Sequence, residues 1–299
     1  MNYPQNVIIV EVGPRDGLQN ETQFISSEKK IDFINQLSNS GMQRIEVTSF
    51  VSKRAIPQLA DHNQVYNNIN KSQNVRFSAL IPNEQGMHQA LAAGVQEIAI
   101  FTAASEAFNQ RNIHCSIVES ITRFEPVITL AKEHHIPIRA YISCALGCPY
   151  EGQIQPQKVA KVTKKLMEFN LDEICLGDTI GVGTPQQTQE VIRHVLEYIT
   201  VDKLAMHFHD TYNQAIANVY AALQCGVYCF DSSVAGLGGC PYARGASGNV
   251  ATEDILYLMH GLGINTGIDI YKIVHIGDEI CKILGKVNQS KVARALLAK

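Results

Sequence analysis

Eight short runs of β-branched and apolar residues recur along the 299 residues, each bounded by turn formers and followed by a segment of helical period. The runs are 7–12, 43–49, 75–81, 97–102, 138–143, 173–178, 204–209 and 229–234. Helical segments are expected at 28–39, 85–93, 116–134, 157–169, 186–198, 213–224 and 252–262, with a less regular one near 57–69. Pro156, Pro185 and Thr252 stand where a first turn or cap falls, and Gly41, Gly94 and Gly226 where a helix stops. Such alternation has two natural homes, a closed (β/α)8 barrel or an open doubly wound sheet. The count of eight, the even spacing and the lack of G-x-G-x-x-G after the first run favour the barrel. The expected fold is therefore α/β, a single (β/α)8 TIM barrel over about 7–262. Additional C-terminal helices would occupy about 267–299, with one domain spanning 1–299.

Composition supports a packed chain: 45% of residues are hydrophobic and 18% charged, more apolar and less charged than disorder requires. A formal net charge of −3 provides no basic field for nucleic acid or an anionic membrane, and neither is expected as a partner. Eight cysteines in a chain this long are too sparse for a disulfide scaffold. The neutral start Met1-Asn2-Tyr3 leads straight into a strand-like run, without a secretory core or an Arg-rich leader, and no run has membrane-spanning length. A reducing cytoplasm is the expected compartment.

In a barrel of this kind, chemistry belongs at the carboxyl ends of the strands. The first run ends in Arg15-Asp16-Gly17, which reads either as an exposed turn with an incidental ion pair or as a charged pair at the barrel mouth. The seventh holds His207-Phe208-His209; residues two apart on a strand share a face, so the two imidazoles point together and form a candidate metal pair. Closure would set the eighth strand between the seventh and the first, letting Asp16 approach both rings. The Gly/Ala-rich loop 235–249 after the eighth run reads either as a mobile surface loop or as a lid. As a lid it would carry Cys240 as an ionisable group and Asn249 as a carbonyl ligand. Glu46 sits inside an apolar strand, where a carboxylate needs a cation, and Arg15 is its nearest candidate partner. Ser49 and Asp178 also close strands. Cys144 and Cys148 have no second pair at structural-zinc spacing and read as core or rim thiols. Two imidazoles, one carboxylate and one amide oxygen make a hard donor set that suits Mg²⁺ or Mn²⁺ with two positions open, more than Zn²⁺.

With these residues in view, the chain resembles the 3-hydroxy-3-methylglutaryl-CoA lyase family, part of the barrel superfamily that also holds isopropylmalate and homocitrate synthases. The likeness runs from the first strand to the final helix. It is carried by VGPRDGLQNE (12–21), SCALGCPYEG (143–152), LGDTIGVGTP (176–185), HFHDTYNQA (207–215) and VAGLGGCPYARGASGN (234–249). The resemblance implies Asp16, His207, His209 and Asn249 as ligands of a divalent cation and Arg15 as the partner of a thioester oxygen. It also implies Glu46, Ser49 and Asp178 as pocket residues and Cys240 as the catalytic cysteine, for which a metal-bound His207 or a water would be the partner in proton transfer. The implied partners are a small-molecule acyl-CoA substrate and a second copy in a homodimer. A synthase of the same superfamily and a silent acyl-CoA-binding barrel are the competing readings; the Cys240-bearing loop argues against the first, and retention of Cys240 and of every ligand position against the second.

Overall fold

The computed structural model describes residues 3–239 and 248–298. Its eight strands are β1 Ile8–Glu11, β2 Arg44–Ser49, β3 Arg76–Leu80, β4 Glu97–Ala103, β5 Ile138–Ser143, β6 Glu173–Asp178, β7 Leu204–Phe208 and β8 Cys229–Ser232. They follow one another in order and close into a barrel, every neighbour parallel, with β8 seated between β7 and β1. A parallel sheet covered on its outer face by helices buries both faces, and for that reason its strands read as almost continuous apolar runs.

The helices among the described residues are α1 Ser27–Ser38, α2 His62–Asn68, α3 Glu84–Ala93, α4 Glu106–Ile113, α5 Ile117–Glu133, α6 Pro156–Met167, α7 Pro185–Val195 and α8 Ala215–Gln224, then α9 Thr252–Gly261, α10 Ile270–Leu284 and α11 Lys291–Leu297. Pro156 and Pro185 open their helices as expected, and Gly94 ends α3 in the left-handed region at φ 69°. Two local expectations change. The helix near 57–69 divides into a tight turn at Pro57–Leu59 and α2. Helix α4 was not foreseen: its eight residues bury only Phe108 and Asn109, so no apolar stripe marks it, and the Ser105 hydroxyl caps it by accepting from the Phe108 N–H. None of the described helices is long and apolar enough to cross a membrane.

Two apolar clusters divide the core. The larger lies between strands and helices; the smaller gathers Val10, Val12, Leu80, Ala99, Tyr141, Cys175, Ala205 and Cys229 on the opposite strand face, inside the barrel. The N-terminal floor is ionic. Arg44 bridges Glu97 at 2.9 Å and Glu173 at 2.8 Å, and the buried Arg139 stands 2.8 Å from Glu173 and 2.6 Å from Asp231. The chain after β8 folds back over the opposite rim: the Ser233 N–H donates to the Val250 carbonyl and the Val250 N–H to the Phe208 carbonyl.

Candidate active site

Asp16 reaches the barrel mouth through an unusual backbone. After β1 the chain forms a π-type turn at Gly13–Gly17, in which the Val12 carbonyl accepts from the N–H groups of Arg15, Asp16 and Gly17. Single π turns of this kind are frequent at functional sites. All five residues are buried, so Arg15-Asp16 is not an exposed turn. The Asp16 carboxylate accepts from Arg15 at 2.7 Å and Gln19 at 2.9 Å on Oδ1, and from the Asn249 amide at 2.8 Å on Oδ2.

His207 on β7 and His209, one residue past its end, bring their rings together as the period of two requires: the centroids are 5.2 Å apart, tilted by 42°. His209 Nε2 stands 3.8 Å from Asp16 Oδ2, and a donor atom from each of Asp16, His207 and His209 falls within 4.8 Å of the others. Asn249 closes the set because the returning chain makes a bridge just past the end of β7, directly opposite His209. Its Nδ2 also donates to the Leu237 carbonyl at 3.0 Å, which fixes the amide orientation. The buried Oδ1 of Asn249 and Nδ1 of His209 are left with no hydrogen-bond partner. Buried polar atoms without a partner call for an explanation. Octahedral ligands about 2.1 Å from one ion lie about 3–4 Å apart, close to the spacing here, and the donors are oxygen and imidazole. The residues fit a divalent cation. Gly238, at φ 121°, makes the close approach of the two loop limbs possible, since a Cβ there would lie 2.7 Å from Asn249 Nδ2.

Burial favours the neutral form of both ring and carboxyl, yet the two groups respond differently. Burial alone would raise Asp16, but the Arg15 guanidinium and the neighbouring imidazoles outweigh it and hold the carboxyl far below the usual range. His209 is lowered, first by burial and then by His207 and Arg15, against the pull of Asp16. An ionised aspartate and a neutral imidazole are the forms that ligate metals.

Arg15 pairs through Nε with Glu46, as the buried carboxylate on β2 required, and Glu46 also accepts from the Tyr141 hydroxyl at 2.8 Å. The guanidinium sits 5.6 Å from the Tyr141 ring centre. Arg15, Asp16, Tyr141, His207 and His209 line a cavity of about 600 Å³, together with apolar side chains of Leu80, Pro82, Phe101, Phe108 and Ile113. Two expected pocket residues are occupied with backbone. The Ser49 hydroxyl donates to the Leu80 carbonyl at 3.2 Å, and Asp178 accepts the Val182 and Gly183 N–H groups at 3.1 and 2.9 Å. Burial pushes Asp178 up to about 6, those N–H donors and His207 acting against it. Cys240 lies outside the described residues.

The family described as HMGL-like matches residues 6–280. The cytoplasmic 3-hydroxy-3-methylglutaryl-CoA lyase of Rattus norvegicus is 56% identical over 292 residues, covering 98% of this chain and 85% of that protein. The chain belongs to the HMG-CoA lyase family. A family member from Pseudomonas aeruginosa, named a 3-hydroxy-3-isohexenylglutaryl-CoA/hydroxy-methylglutaryl-CoA lyase, is 53% identical over 299 residues with 100% of both chains covered. The crystal structure of a hydroxymethylglutaryl-CoA lyase from Pseudomonas aeruginosa superposes with a TM-score of 0.98 at 53% identity, covering 100% of this chain and 99% of that one. This is a family of carbon–carbon lyases, and the competing synthase and silent-barrel readings fall away.

In this HMG-CoA lyase family member, residues that sequence reasoning passed over lie against the candidate site. Asp231 sits opposite His207 in the β7–β8 register, its Oδ2 3.1 Å from the ring Nδ1. A carboxylate in the run Cys-Phe-Asp-Ser-Ser-Val needs a cation as Glu46 does, and that argument applied to β8 would have singled it out. Glu11 is buried beneath both mouth loops and accepts from the N–H groups of Gly13 at 2.8 Å and Val234 at 3.0 Å and from the Thr252 hydroxyl at 2.7 Å. Glu253 accepts from the Ala235 N–H at 2.9 Å, holding a residue at φ 59° where the eighth loop begins.

Proposed function

We propose that this HMG-CoA lyase family member cleaves (S)-3-hydroxy-3-methylglutaryl-CoA to acetyl-CoA and acetoacetate, with Mg²⁺ or Mn²⁺ held by Asp16, His207, His209 and Asn249. The observation that carries the reading is the convergence of those four side chains beside Arg15 at the barrel mouth, with a buried amide oxygen left over. It is joined by relatives named for that substrate at 53–56% identity over nearly the whole chain. A divalent cation in this donor set supplies a lowered hydroxyl pKa and a counter-charge for a substrate carboxylate.

The side chains then have distinct tasks. The C3 hydroxyl loses its proton to a base, its oxygen becomes the ketone of acetoacetate, and the C2–C3 electron pair moves onto the thioester. Arg15, already oriented by Glu46 and Asp16, offers its guanidinium to the enolate oxygen that develops. A proton returned to C2 completes acetyl-CoA. Cys240 carries the proton-transfer duty with a water or the metal-bound His207 as its partner, and Ser49 and Asp178 hold the pocket's shape by fixing the backbone at Leu80 and at Val182-Gly183. The apolar wall of Leu80, Pro82, Phe101 and Phe108 shields the enolate from water. A homodimer and a cytoplasmic location belong to the same proposal; the rat relative carries the latter in its name.

The test is product analysis. Purified protein with Mg²⁺ or Mn²⁺ should release acetoacetate and acetyl-CoA in equal amounts from the substrate, and none after chelation. Turnover unaffected by chelation would sink the metal assignment, and no cleavage under any metal would sink the reaction.

A further inference from the structure

Asp231 lies on β8, ahead of the loop that carries Asn249, and its side chain is not among those lining the cavity. It is the third residue of a four-residue strand, directly across the pair from His207, with 0% of its carboxylate exposed. We propose that Asp231, held by Arg139, is a positioning residue that selects the His207 tautomer with the proton on Nδ1, leaving Nε2 as the metal donor. The inference rests on the reading of His207 as a ligand.

The argument is one of donors and acceptors. Arg139 is a fixed donor: guanidinium has five N–H groups, no acceptor, and stays protonated. Its terminal nitrogen stands 2.6 Å from Asp231 Oδ1, and its Nε stands 2.8 Å from Glu173, which Arg44 holds in turn. The guanidinium therefore has no freedom to leave, and Oδ1 is committed to accepting. Ionised Asp231 offers only acceptor sites on Oδ2 as well, where the Cys175 thiol at 3.6 Å is a second donor. His207 Nδ1, 3.1 Å from Oδ2, must then donate. A neutral imidazole carries one N–H; with that proton on Nδ1, the lone pair is on Nε2. Carboxylate partners of metal-bound histidines act in this way generally, and removing one weakens metal affinity about 10- to 100-fold.

The arrangement makes an unusual forecast for a nearly isosteric change. In Asp231→Asn, Arg139 still demands an acceptor, so the amide oxygen turns to Arg139 and the amide NH₂ faces His207. Nδ1 must then accept, the ring proton moves to Nε2, and the metal donor is lost although the shape of the strand pair is kept. A space-filling role alone would leave the asparagine variant unimpaired.

Two measurements decide it. Long-range ¹H–¹⁵N NMR on the metal-free full-length protein at about pH 8.5, where ordinary imidazoles are neutral, should report the Nδ1–H tautomer for His207 and the Nε2–H tautomer in Asp231→Asn. Calorimetric titration with MnCl₂ should show affinity falling about 10- to 100-fold in Asp231→Asn. An Nε2–H tautomer in the wild type overturns the proposal, as does an Asp231→Asn protein that binds Mn²⁺ like the wild type. Should the variant fail to fold, the wild-type spectrum decides alone. Titration of His207→Ala separates the two claims: unchanged Mn²⁺ affinity there refutes His207 as a ligand, while the tautomer still reports on Asp231.

Discussion

His207 and Asp231 face each other across the parallel pair β7–β8, the imidazole Nδ1 3.1 Å from the carboxylate Oδ2. Through that contact the candidate metal site is continuous with the ionic floor of the barrel: Asp231 meets Arg139, Arg139 meets Glu173, and Glu173 meets Arg44. Buried ion pairs contribute little net stability, but stripping one partner from such a pair costs about 3–5 kcal/mol. The chain of charges is thus stiff, and it delivers that stiffness to a ring whose orientation the chemistry needs.

Removing a ligand should be felt first in metal binding. His209→Ala and Asp16→Ala are each expected to weaken Mn²⁺ affinity at least about 10-fold, since even supporting residues have effects of that size. Calorimetry on the purified variants measures it. Affinities equal to wild type would return the cluster to a structural role.

Arg15→Gln should lower kcat by about 10²–10³, the range for removing one donor aimed at a developing oxyanion. Glu46 keeps its Tyr141 hydrogen bond in the variant, so the folded state retains a partner for that carboxylate. Steady-state kinetics beside thermal melts separates the effects: a depressed melting temperature with unchanged kcat would count against the catalytic role.

Cys240→Ser tests the proton-transfer assignment. A hydroxyl is a much weaker acid than a thiol, and loss of a positioned acid–base group slows turnover about 10²- to 10⁴-fold. Mn²⁺ affinity should stay at the wild-type level. Wild-type turnover in the variant would remove Cys240 from the chemistry.

Stability should fall on the alkaline side because of two carboxyls under the mouth loops. Burial pushes Glu11 up to about 7 and Glu253 up to about 8, their hydrogen-bond donors opposing it. Between the unfolded glutamate pKa of about 4.3 and those values, the folded state binds more protons than the unfolded one, so stability decreases as pH rises through the window. Urea unfolding should show a loss on the order of a few kcal/mol from pH 5 to 8.5 in the wild type, and a smaller loss in Glu253→Gln. Parallel pH profiles for the two proteins would refute the assignment. At the acid end the sign reverses: Arg15 and the imidazoles depress Asp16, and Arg139 and His207 take Asp231 down to about 2 against burial, so their contribution disappears only as pH falls below about 4.

Much of this molecule is legible without coordinates, and the reason is locality. Strand and helix periods follow from backbone sterics within a few residues, so all eight strands lie where the apolar runs are. The period of two alone sets His207 and His209 on one face, and a carboxylate in an apolar strand announces that a cation is near, as Glu46 does for Arg15. Features without a local signal were missed. Helix α4 has too few buried positions to show a stripe, and the π turn at Gly13–Gly17 depends on one carbonyl serving three N–H groups.

What tertiary structure alone decided is which distant groups meet. Asp16 and Asn249 are 233 residues apart and touch because the barrel closes β8 against β1 and the following chain bridges to His209. Arg139 and Asp231 are 92 apart, on strands that share no edge, and meet only across the barrel interior. Local sterics chose the elements, but the distance between side chains on different strands is set by closure and register, which no stretch of sequence contains.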